Sequence, residues 1–153
     1  MERFVADAML GRLARWLRFL GYDVLYFRDI EDRELVKTAR AGDRVILTRD
    51  RGLVQDFHVR HYLVVSEILD EQLSEVLGRF PLKQNPDRRC MKCNTEVEAI
   101  TNKEEVRDSV PEYVYLKHDS FQKCPSCGSI YWEGSHMRRI IKRIEKAVKS
   151  KDK

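Results

Sequence analysis

The 153-residue sequence has no run approaching the roughly 18 consecutive apolar residues that a bilayer-spanning helix needs, so no such helix is expected. Its opening segment is interrupted by Glu2, Asp7 and several arginines, a poor secretory signal, so a cytoplasmic location is expected. Only four cysteines occur, and without a secretory signal they are not expected to pair as disulfides. There is no internal repeat, and no low-complexity tract beyond the lysine-rich end, so an array or solenoid is not expected.

What the chain has in abundance is charge. Charged residues make up 35% against 42% apolar, and because apolar runs recur along the whole length, wholesale disorder is excluded. The net charge of +4 is uneven. Arg138 to Lys153 holds eight basic and two acidic residues, a local +6, so the remainder carries −2, the difference between the two. A basic end beside a mildly acidic body suits an anionic partner held at one end.

The first eighty residues alternate between two periodicities. Phe4–Ala6, Val24–Phe27, Arg44–Thr48 and Tyr62–Val65 read as short strands. Met9–Leu20, with Leu10, Leu13, Leu17 and Leu20 at helical spacing, Asp32–Ala41 and Glu71–Arg79 read as helices, and Gly52–Phe57 as a short helix or turn. Strands alternating with helices pair in parallel through right-handed crossovers, so residues 1–80 are expected to form a small doubly wound, mostly parallel α/β sheet. Pro81–Arg89 reads as a linker. In residues 90–137, Glu96–Ile100 and Tyr113–Leu116 read as β-rich. Residues 138–153 read as a basic helix with Ile140, Ile144 and Val148 on one stripe.

The cysteines form two C-x2-C pairs, Cys90 with Cys93 and Cys124 with Cys127. Each pair wraps a tight turn that offers two sulfurs to half a tetrahedron, and two such turns complete a four-thiolate zinc shell. A redox role would want a thioredoxin-like context, which is absent. Four thiolates close the shell, so this zinc is expected to be structural, and its binding supplies much of the folding energy of so short a segment.

Three acids fall where strands or helices begin and end. Asp7 follows the first strand, Asp50 the third, and Asp32 opens the second helix. The carboxyl ends of parallel strands line the ligand crevice of such a sheet, and clustered carboxylates there suit Mg²⁺ or Mn²⁺. Each aspartate also precedes a helical segment, so a plain helix cap is an equally open reading. Arg12, Arg15 and Arg18 lie on one flank of the first helix, suited either to phosphate or to an exposed basic face. Trp16 is assigned to the core. His58, His61, His118 and His136 are assigned to structure or surface.

The run from Phe4 to Arg18, continued by Leu20–Asp23, resembles the opening of the mut-7 C-terminal RNase domain family. Val45–Leu53, Gln72-Leu73 with Val76-Leu77, and the paired cysteines followed by Tyr131–His136 resemble its later motifs. The resemblance implies a PIN-like α/β domain with a C-terminal zinc ribbon, acting as a Mg²⁺- or Mn²⁺-dependent ribonuclease on RNA. It implies Asp7, Asp32 and Asp50 as the acids that hold the catalytic ion, with Asp29, Glu34 and Asp56 as candidates for a fourth. Arg12, Arg15 and Arg49 are then expected at the substrate phosphates, with the ribbon and basic end helping to hold RNA. The alternative is an RNA-binding zinc-ribbon protein without catalysis.

Overall fold

The computed structural model describes residues 2–82 and 87–151, excluding the side chains of 136, 137 and 147–151. Four strands, β1 (Phe4–Ala6), β2 (Val24–Tyr26), β3 (Val45–Thr48) and β4 (His61–Leu63), form one parallel sheet in the order β2-β1-β3-β4. They alternate with α1 (Gly11–Leu20), α2 (Asp32–Ala41), α3 (Arg51–Asp56) and α4 (Leu69–Arg79). The strands are short because both faces must be apolar at once. Phe4, Ala6, Val45 and Leu47 pack with Leu13 and Leu17 of α1 and Leu73 and Val76 of α4. Val5 and Ile46 point the other way, onto Leu35, Val36 and Ala39 of α2 and Leu53 of α3. Each fully buried Leu or Ile of this kind contributes about 1.5–3 kcal/mol.

Because α1 covers one face and α2 and α3 the other, the winding reverses between β1 and β3. This is the mixed α/β, parallel class that the alternation implies. Residues 8–10 form a 3-10 turn before α1, and α1 ends at Gly21, whose φ of 112° puts it in the left-handed region that only glycine enters cheaply.

A second sheet, β5 (Glu98–Ala99), β6 (Gln122–Lys123) and β7 (Ile130–Tyr131), is antiparallel and small. Val106, Val110, Val114 and Phe121 supply its core. Tyr113–Leu116, expected as extended, is helical within α5 (Glu112–Lys117). Pro111 at the cap and Glu112 in the first turn start a helix, and only Val114 has to be buried, which a helix does while leaving Tyr113 and Leu116 at 65% and 70% exposure.

The last helix, α6 (Ser135–Lys151), starts three residues earlier than its pattern suggests and packs back on the parallel sheet's layer. Ile140 and Ile144 enter the same core cluster as Leu73 and Val76, and Arg143 pairs with Asp70 at 3.4 Å. The side chains of Val148 and His136 lie outside the described ones. Of the segment 81–89, residues 83–86 lie outside the described residues, while Arg89 donates its N–H to the Arg18 carbonyl and bridges to Glu96.

Candidate active site and metal centre

Parallel neighbours β1 and β3 deliver Asp7 and Asp50 to the same edge of the sheet, at the point where the winding reverses. In doubly wound sheets this is where ligands bind. Thr48, the fully buried last residue of β3, ties the two acids together. Its hydroxyl donates to Asp7 Oδ2 at 2.9 Å and accepts the N–H of Asp50 at 2.9 Å. Asp7 Oδ1 accepts the Ala8 N–H at 2.7 Å, and Asp50 Oδ1 accepts from Gly52 at 2.9 Å and Leu53 at 3.4 Å. Both acids are therefore helix caps, with Asp50 Oδ2 making no protein hydrogen bond among the described residues.

Asp32 behaves differently. Glu31 occupies the cap position of α2 and no side chain caps that helix, so the capping explanation fails for Asp32. Its carboxyl is exposed at the same edge of the sheet. Desolvation first, and then the like charges of Asp50, Asp7 and Asp56 in that order, raise its pKa above the ordinary value. Asp32 thus feels both of the other acids, and Asp56 is the one of the three candidates for a fourth that acts on it as well. As a set the carboxylates are spread more widely than the sulfurs: among the described residues, the four cysteines are the only group of three or more whose ligand atoms all lie within 4.8 Å of one another.

Arginines flank the acids on two sides. Arg12 and Arg15, both exposed on α1, line a groove that also takes in Arg28 after β2. Arg49 lies on the β4 side instead, 3.5 Å from the exposed Glu67, with its buried Nε unpartnered. Arg18 is neither exposed nor free. At 6% exposure it donates Nε to the Val24 carbonyl at 2.8 Å and Nη1 to the carbonyls of Met91 and Lys92 at 2.9 and 3.3 Å.

Those carbonyls belong to the first cysteine turn. Cys90 and Cys127 place their sulfurs 3.7 Å apart. An ion about 2.3 Å from each of four tetrahedral sulfurs requires a separation of about 3.8 Å, so the donor set fits Zn²⁺ in both chemistry and spacing. The two turns are built alike. Asn94 donates its N–H to the Cys90 carbonyl, as Gly128 does to Cys124, both at 2.9 Å, and both adopt left-handed φ, 65° and 79°. Asparagine is the residue next best suited to that conformation after glycine. The Tyr131 hydroxyl lies 3.1 Å from Cys90 Sγ and accepts the Met91 N–H at 3.0 Å. Hydrogen bonds from the Ser129 side chain and backbone lower Cys127 to about 6, whereas its bond to Cys127 pushes Cys93 up to about 12.

A family model of the Mut7-C RNAse domain matches residues 2–144. The chain belongs to that family. No curated protein and no solved structure gives a match to it in the corresponding comparisons. Membership carries a nuclease-like role with RNA as the substrate class. The matched span takes in the parallel sheet, the cysteine turns and part of α6, and side chains of the first cysteine turn contact the parallel sheet. Asn94 accepts the Val24 N–H at 3.0 Å and donates to Asp23 at 2.7 Å, and Asp23 is paired with Arg44 at 2.8 Å.

In this Mut7-C chain, Thr48, Asn94, Arg28 and Lys92 escape a reading of the sequence. Asn94 alone leaves a local signal, since it follows Cys93 where Gly128 follows Cys127. Trp16 is half-buried against the core and edge-on to Phe19, and His58 and His61 are exposed. No helix among the described residues is long and apolar enough to cross a membrane.

Proposed function

We propose that this chain is a metal-dependent ribonuclease in which Asp7, Asp32 and Asp50 hold Mg²⁺ or Mn²⁺ at the carboxyl ends of β1 and β3. The observation that carries the reading is the placing of Asp7 and Asp50 after the neighbouring strands β1 and β3, tied together by Thr48, with Asp32 close enough for their charges to raise its pKa and with Asp32 and the outer oxygen of Asp50 free of protein hydrogen bonds among the described residues. Uncompensated hard oxygen donors at the reversal of a doubly wound sheet suit a small divalent ion, which keeps several waters and takes only one or two carboxylates directly. That preference also fits acids spaced more widely than the cysteine sulfurs. When bound, such an ion supplies Lewis acidity and an acidified water.

The protein's own groups then have defined tasks. Thr48 fixes the Asp7 carboxylate by its hydroxyl and so keeps the acid in one orientation. Arg12 and Arg15 neutralise phosphate oxygens from the β2 side, and Arg49 does so from the β4 side. The paired cysteine turns hold structural Zn²⁺ and support RNA binding from outside the crevice, aided by the basic end of the chain.

Purified protein with Mn²⁺ is expected to cleave single-stranded RNA, and Asp7→Asn to lower the rate by more than about 100-fold, beyond what loss of an outer hydrogen bond costs, with its melting curve intact. Equal cleavage by the variant overturns the assignment. Because Asp7 and Asp50 do cap helices, an RNA-binding role without catalysis is the competing reading. It predicts wild-type affinity for RNA, indifference to Mn²⁺ and no cleavage.

A further inference from the structure

Six arginines, Arg44, Arg49, Arg60, Arg88, Arg89 and Arg143, are paired with carboxylates. Among the cations that are not so paired, four stand together in one place. Arg12, Arg15, Arg28 and Lys92 have no ion-pair partner among the described residues, and all four line one groove of about 520 Å³ that holds no carboxylate. The groove begins where Tyr26 donates its hydroxyl to the Ala8 carbonyl at 2.8 Å, one residue beyond Asp7. It descends along α1 from Gly11 to Arg18, about 10 Å at 1.5 Å per residue. There it meets the backbone of the first cysteine turn at Met91 and Lys92.

It does not stop at that turn. A second hollow of about 510 Å³ shares Arg15, Met91 and Lys92 with the first and continues past Gly128 to Tyr131 and Trp132. Trp132 is half-buried, tilted on Phe121 at 6.4 Å, and lines this hollow and a neighbouring one. The surface is therefore cationic beside the acids and aromatic beyond the zinc turn. Grooves of that composition bind single-stranded nucleic acid, with cations tracking phosphates and a ring offering a face to a base.

We propose that this continuous groove is the binding track for a single RNA strand, which enters over the zinc ribbon at Trp132, passes Lys92 and Arg15, and reaches the acids beside Arg28 and Arg12. The proposal rests on the ribonuclease reading for its direction toward the acids. Base faces are hidden in a duplex, so the strand must be unpaired for Trp132 to contribute. Lys92 is held in place by the cysteine turn and by Arg18, which joins the ribbon's part of the track to the sheet's part.

The test measures binding of a fluorescent 12-nucleotide single-stranded RNA to the zinc-loaded full chain by anisotropy, with neither Mg²⁺ nor Mn²⁺ added. Lys92→Glu and Arg28→Glu are each expected to weaken binding at least tenfold and to flatten the salt dependence by about one phosphate contact. Lys37→Glu on α2, across the sheet, serves as the charge-matched control. Trp132→Leu should lose about tenfold while Trp132→Phe, which keeps a ring, retains most of the affinity. The proposal is overturned if Lys92→Glu and Arg28→Glu match the control, if duplex RNA binds as tightly as single-stranded RNA, or if no RNA binds. Binding through these residues without cleavage under Mn²⁺ would remove the ribonuclease reading and leave the track standing. Cleavage with unaltered binding in the variants would do the reverse.

Discussion

Replacing Arg18 with methionine tests how much one buried side chain, alongside Asn94, contributes to joining the zinc ribbon to the parallel sheet. Arg18 as a residue is 6% exposed, and its guanidinium gives two short hydrogen bonds, to the carbonyls of Val24 and Met91, and a longer one to Lys92. Burial lowers its pKa, and the nearby Cys90 and Cys93 sulfurs pull the other way. A zinc ion held by the four thiolates would carry two net negative charges, which the cation would help to balance. Each short bond from a charged donor contributes about 1.5–3 kcal/mol, and methionine recovers part of the loss through apolar contact, leaving a net cost of about 3 kcal/mol. At this chain length that lowers the melting temperature by about 6–12 °C. Thermal melts of zinc-loaded protein should show that drop, and a colorimetric chelator should extract zinc faster from Arg18→Met than from wild type. The exposed Arg15→Met serves as control, expected within about 0.5 kcal/mol of wild type. A shift below about 2 °C with unchanged zinc release refutes the reasoning.

Two further outcomes follow from the acids. Asp32→Asn removes a carboxylate whose pKa is raised by desolvation and by its acidic neighbours, so in metal-free buffer it should melt slightly above wild type. Mn²⁺ at 100 times its dissociation constant should stabilise the wild type by about 2.7 kcal/mol and leave this variant unmoved, as differential scanning calorimetry would show. For Asp23, burial alone would raise the pKa, but hydrogen bonds from Arg44 and Asn94, with the charges of Arg44 and Arg89, outweigh it and hold the pKa below its ordinary value. A depressed carboxyl stabilises above the unfolded pKa and loses that contribution as pH falls through the folded one. The gap in urea midpoint between wild type and Asp23→Asn should therefore stay constant from pH 7 to 5 and narrow as pH falls below about 4; a gap that has not narrowed at pH 3 rules the account out.

What the amino-acid sequence determined by itself is whatever depends on near neighbours. Leu13 and Leu17 declare a buried helix face, Val45–Leu47 a strand buried on both sides, and Cys-x-x-Cys a turn that offers two sulfurs, because each pattern spans fewer than ten residues. Where local preference is weak it misleads. Tyr113–Leu116 has strand-forming residues, yet Pro111 and the need to bury only Val114 make it helical. Arg18 has the sequence signature of a surface cation and is instead committed to carbonyls seventy-three and seventy-four residues away. Thr48 ends a strand without remark, and only the pairing of β1 with β3 sets its hydroxyl between Asp7 and Asp50. The stripe of α6 announces a buried side but not that Ile140 and Ile144 cover the parallel sheet's helical layer. Lys92 meets Arg28 in one groove for the same reason. Long-range partners are chosen by the closing of loops and the burial of shared surface, which no window of local sequence contains.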